Sequence, residues 1–151
     1  KDTLIIVTAD HSHVFTIAGY PKRGNNILGK VINTGSADGT YAKDALGLPY
    51  STLGYANGPG YSGASNSQPE GSKAYPHNPS SYSGITAGRP NLTATDTTAP
   101  SYMQESVVPM QSETHAGEDV AIYANGPKAY LFRGTMEQNT IFHVMKEAFG
   151  F

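Results

Sequence analysis

Residues 3–9, TLIIVTA, form a short, unbroken apolar run rich in Thr, Ile and Val. A β-branched run of this length predicts a strand buried on both faces of a parallel sheet. Residues 14–18, VFTIA, predict a second short strand, after which Gly19, Pro21, Gly24 and Gly29 break the pattern. From residue 33 to about 106 the chain becomes rich in Gly, Ser, Asn, Pro, Tyr and Thr, with a thin apolar stretch at 50–56. That composition predicts a loop-rich insertion rather than a core. The word YANGP stands at 55–59 and again at 123–127. Each copy closes on Asn-Gly, which tolerates positive φ, so both predict a strand running into a tight turn. Residues 119–124 read as that second strand. In the tail, Ile141, Phe142, Met145, Ala148 and Phe149 fall on one face of a predicted helix that Gly150 ends, with His143, Lys146 and Glu147 on the other side.

One strongly apolar strand, two or three weaker ones, a single helix and a long polar middle are poor material for an independent α/β core. The pattern is that of a piece of a larger α/β domain. With 151 residues, 38% of them hydrophobic, the composition is globular. The net charge of −2 is spread without blocks, so neither nucleic acid nor an anionic membrane finds an electrostatic footprint. No apolar run approaches the ~20 residues of a membrane-spanning helix. Without cysteine there is no disulfide framework and no thiolate ligation. The residues Lys1-Asp2-Thr3-Leu4 lead into the strand and are not expected to be a leader's charged, apolar or cleavage-site region.

Asp10 and His11 follow the predicted strand directly, where open α/β sheets gather functional groups at strand carboxyl ends. Adjacent residues of a strand point to opposite faces, so the two share an ion only if the strand ends and the backbone bends around them. Carboxylate and neutral imidazole suit zinc. His13 is either a third ligand or a residue that orients another ligand by hydrogen bonding. A second cluster, SETHAGEDV at 112–120, places His115 in a glycine-containing loop ahead of a strand, with Glu113, Glu118 and Asp119 nearby. His77, in YPHNP, reads as a surface residue and His143 as structural.

TLIIVTADHSHVF with GYPKRGNNILG, and later ETHAGEDVAIYANGP with GTMEQNTIFHVM, resemble the metal-dependent alkaline phosphatases in the same order, and YANGPGY between them also fits. The resemblance implies an α/β fold: part of a mostly parallel sheet flanked by helices. Residues 1–32 would be a sheet segment carrying the Asp-His pair, 33–106 a crown-like insertion near a dimer interface, and 107–151 the final sheet segment and helix. It further implies that Asp10 and His11 ligate the zinc that activates the nucleophile and that His115 ligates a second zinc. His13 would hydrogen-bond near that second zinc without ligating it.

The serine nucleophile in its Asp-Ser-Ala setting, the phosphate-gripping arginine, the remaining zinc ligands and the magnesium ligands do not occur here. No catalytic nucleophile is therefore expected in this chain, which reads as the carboxyl-terminal portion of a phosphate-monoester hydrolase. It would need the amino-terminal remainder of the enzyme and act through a phosphoserine intermediate, as a secreted or periplasmic homodimer. Two other readings stay open: a fragment of a phosphodiesterase, sulfatase or phosphomutase of the same superfamily, and a non-catalytic binding module built on the Tyr-, Gly- and Asn-rich middle. Asn91-Leu92-Thr93 is a glycosylation sequon, meaningful only in a eukaryotic secretory setting.

Overall fold

The computed structural model describes residues 2–63, 68–76 and 89–151, so the expectation for His77 lies outside the described residues. The chain divides into two compact units, one of Lys1–Ser12 with His115–Phe151 and the other His13–Thr114. The 33–106 segment lies wholly within the second, which extends beyond it at both ends.

In the first unit, β1 (Ile5–Val7) pairs antiparallel with β7 (Tyr123–Asn125), Ile6 facing Ala124. The strand expected over residues 3–9 is therefore shorter, and its partner antiparallel. It is also not buried: Ile5 and Val7 are 57% and 58% exposed. A β-branched apolar run specifies extended backbone, but burial on both faces depends on layers that the run cannot itself supply. The second YANGP copy does form β7 and leaves it through Gly126 at φ 111°. A Cβ at that glycine would overlap the carbonyl oxygen of Thr3, so only glycine lets the end of β7 come this close to the start of β1.

The helix α1 (Thr140–Phe149) ends as expected at Gly150, φ 77°. The Gly150 N–H donates to Glu147 O and the Phe151 N–H to Lys146 O, a double bond pattern that satisfies two terminal carbonyls. Its covered face differs from expectation. Val144 is buried and Ile141 and Ala148 are half-buried, whereas Phe142, Met145 and Phe149 are exposed. The helix thus carries two apolar stripes, and periodicity alone does not say which one the fold covers.

The second unit holds a three-stranded sheet ordered β2 (Phe15–Ile17), β3 (Leu53–Gly58), β6 (Ser106–Pro109), with β2 and β3 antiparallel and β3 and β6 parallel. A two-stranded antiparallel pair, β4 (Lys73–Ala74) and β5 (Tyr102–Met103), falls between β3 and β6 in chain order. The first YANGP copy completes β3, again passing through a positive-φ glycine, Gly58 at 142°. Val31, Leu92 and Met103 are buried, so this unit owns a small core, to which the polar middle contributes Leu92 and Met103. Polar ties supplement it. Arg89 bridges Glu105 at 2.7 Å and Asp44, and the Lys30 ammonium donates to the carbonyls of Leu92, Thr93 and Thr95 at 2.9, 3.2 and 2.8 Å. Backbone carbonyls that a sheet ladder would otherwise pair are satisfied this way. The whole is a small α/β piece with mixed sheets, and no helix among the described residues is long and apolar enough to cross a membrane.

Candidate functional site

β1 stops at Val7, and the backbone bends at Asp10 before Ser12 forms an antiparallel bridge with Ala116. The condition for Asp10 and His11 to act together is therefore met: the strand has ended and the chain turns between them. The Asp10 carboxylate is fixed by its Oδ1, which accepts the His11 backbone N–H at 3.1 Å. Its Oδ2 lies 3.3 Å from His11 Nε2. On the other side of the ring, Nδ1 sits 3.1 Å from the Ser12 carbonyl oxygen, and the tautomer that donates there leaves Nε2 as an acceptor.

In that tautomer the carboxylate oxygen and Nε2 are two acceptors converging on one point, an arrangement that calls for a cation between them. Two ligand atoms held about 2.1 Å from a tetrahedral ion lie about 3.4 Å apart. The observed separation matches that edge. An oxygen and an imidazole nitrogen are also the donor types zinc accepts. Asp10 and His11 fit a shared zinc ion.

The Ser12–Ala116 bridge, closed by the Ala116 N–H donating to Ser12 O at 3.1 Å, brings the His115 loop to the same place. The His11 and His115 rings stack with centroids 3.6 Å apart and planes 17° from parallel. The Ser12 hydroxyl also donates to Glu118, and this bond holds the Glu118 carboxyl below its ordinary range. The Ser12–Glu118 tie is not readable from residue type, since nothing there marks two loops 106 positions apart as neighbours. A cavity of about 370 Å³ in this unit is lined by Thr8, Asp10, Glu118, Asp119, Glu137 and Ile141 among others. Four acidic residues among this lining, Asp10, Glu118, Asp119 and Glu137, disfavour an anion there unless cations offset them.

His13 belongs to the second unit, where its Nδ1 contacts Glu113 Oε1 at 2.6 Å. Sequence proximity groups Glu113 with His115, but its hydrogen-bond partner is the histidine 100 residues earlier. A carboxylate behind a ring nitrogen fixes tautomer and orientation, which is how outer residues position metal ligands. His143 is exposed on α1 with its ring edge-on to Phe142, centroids 5.4 Å apart.

The sequence model described as "Alkaline phosphatase" matches residues 1–151. The chain belongs to the alkaline phosphatase family. Among curated members, the tissue-nonspecific isozyme of Rattus norvegicus is 39% identical over 148 residues, and that of Felis catus 40% over 149. The alkaline phosphatase of Gadus morhua is 37% identical over 148 residues. Each match covers 98% of this chain but 23% of the rat and cat proteins and 25% of the cod protein. The chain thus spans about a quarter of the length of these alkaline phosphatases.

Proposed function

We propose that this chain is the carboxyl-terminal part of an alkaline phosphatase that hydrolyses phosphate monoesters at a two-zinc site through a phosphoserine intermediate. The observation that carries the reading is the 3.3 Å approach of Asp10 Oδ2 to His11 Nε2. These two residues hold one zinc and His115 contributes to the other. The bound ions would polarise phosphate oxygens and lower the pKa of the attacking hydroxyl and of water. The chain's own residues do the positioning. Asp10 is locked by the His11 N–H, His11 by the Ser12 carbonyl, and the His115 loop by the bridge to Ser12.

The nucleophile, the magnesium ligands and the other zinc ligands belong to the remainder of the polypeptide, since no Asp-Ser-Ala occurs here. The whole enzyme acts as a secreted or periplasmic homodimer. The test is turnover of p-nitrophenyl phosphate at alkaline pH. The full-length enzyme should lose activity on chelation and regain it with zinc, and residues 1–151 alone should give none until mixed with the remainder. Preference for a diester over the monoester, or turnover by the isolated chain that His115→Ala abolishes, would overturn the reading.

A further inference from the structure

The chain has two Asn-Gly steps, Asn57-Gly58 and Asn125-Gly126, and both lie in the repeated word YANGP. Because the five residues are identical, a difference in chemistry between the two copies must come from the fold. In each copy the asparagine stands at or next to the end of a strand, β3 or β7. The glycine after it has positive φ in both, 142° at Gly58 and 111° at Gly126. β3 lies in the His13–Thr114 unit and β7 in the other.

The two asparagine side chains are held differently. Asn57 is half-buried and clamped at both ends of its amide: Nδ2 donates to Thr114 Oγ1 at 2.9 Å, and Oδ1 accepts the Thr114 backbone N–H at 2.8 Å. Turning that amide breaks two hydrogen bonds at once. Asn125 is exposed, and its amide has no hydrogen-bond partner among the described residues. Nothing comparable holds it.

An Asn-Gly step carries its own nucleophile. The backbone nitrogen of the glycine attacks the side-chain carbonyl carbon of the asparagine, so that an N–Cγ bond forms as the Cγ–Nδ2 bond breaks. The N–H proton leaves with the amide nitrogen as ammonia, and a cyclic imide remains. Water then adds at one or the other imide carbonyl and opens the ring, giving aspartate or isoaspartate. Glycine obstructs this least, since no Cβ stands beside the attacking nitrogen. The attack requires the side-chain amide to swing toward the chain ahead of it, so a clamped amide is protected and an unclamped one reacts. At Asn125 the isoaspartyl product routes the chain through the side-chain carbon, which lengthens the backbone of β7 opposite Ile5 of β1.

We propose that Asn125 is a site of spontaneous deamidation through a succinimide and that Thr114 protects Asn57 from the same reaction. The test is incubation of the full-length enzyme in mildly alkaline buffer below its unfolding temperature. Peptide mapping by mass spectrometry at intervals resolves asparagine, aspartate and isoaspartate at both steps. Asn125 is expected to convert at least about tenfold faster than Asn57, because two hydrogen bonds hold the latter. In denaturant the two should convert at the same rate, since the same word surrounds each. Thr114→Val removes the hydroxyl acceptor and should speed Asn57 about fivefold while leaving Asn125 unchanged. If both steps speed up, the variant has loosened as a whole and the parent's own two rates decide. The readout is mass, not turnover, and is independent of the zinc assignment. Equal rates in the folded parent, an Asn125 that stays intact while the denatured chain converts, unequal rates in denaturant, or an unchanged Asn57 rate in Thr114→Val would each overturn the proposal.

Discussion

Glu113 touches His13 at 2.6 Å, and this contact is where the chemistry of single residues can be tested without disturbing a proposed ligand. His13→Ala should still bind both zincs at saturating metal but hold one of them about 10 to 100-fold more weakly, as orienting residues generally do. Metal titration followed by elemental analysis reads this, and complete loss of one zinc at saturation would make His13 a ligand instead. A second residue-scale outcome concerns pH. Asp38 accepts from the hydroxyls of Ser36 at 2.6 Å and Thr40 at 2.7 Å, and these bonds lower its carboxyl from 3.8 to about 2. A folded pKa below the unfolded one means the turn gains stability above about pH 3.8 and loses it as pH falls toward 2. The NMR titration of Asp38 should have its midpoint near 2, whereas a midpoint at the ordinary value would show the turn is not formed. Asp10, His11 and His115 stood out as candidates because their residue types and strand-end placement suit ligation. Partners such as Glu113 for His13 and Glu118 for Ser12 did not, since hydrogen bonds between loops depend on a fold the local sequence does not describe.

At the scale of elements, β7 approaches β1 only because residue 126 is glycine. Gly126→Ala should lower the urea midpoint of the full-length enzyme by the equivalent of about 2 kcal/mol or more, the overlap with Thr3 adding to the cost of positive φ. Gly134→Ala is the control. Its φ is 67° and its Cβ would meet nothing within 4 Å, so it should cost only about 1 kcal/mol. Equal losses would show that the close approach contributes nothing. The elements themselves were largely readable: 14–18 contains β2, 50–56 overlaps β3, 119–124 overlaps β7, and Gly150 ends α1. Burial was not. Ile5 and Val7 looked like core and are exposed, and on α1 the buried Val144 took the place expected of Phe142, Met145 and Phe149. Periodicity reports which residues share a face, but what covers that face is set by chain far away in sequence. The middle segment misled in the other direction. Leu92 and Met103 are buried within it despite their polar neighbours, and Arg89 and Lys30 bind carboxylates and carbonyls of the same segment.

For the molecule as a whole, the central fact is that this sequence spans about a quarter of the length of the alkaline phosphatases named above, 23% of the rat protein. The exposed apolar surfaces of β1 and α1 are what a segment of a larger α/β domain presents to its neighbouring layers. The chemistry is divided in the same way: Asp10, His11 and His115 are the proposed metal ligands, and no Asp-Ser-Ala nucleophile motif occurs among these residues. Zinc stoichiometry is thus the most direct test, because it reads the proposed ligands without requiring the nucleophile. Full-length enzyme carrying Asp10→Ala, His11→Ala or His115→Ala should each contain less zinc per chain than the parent, measured by elemental analysis after dialysis. If all three variants kept the parent's zinc content, these residues would not be its ligands.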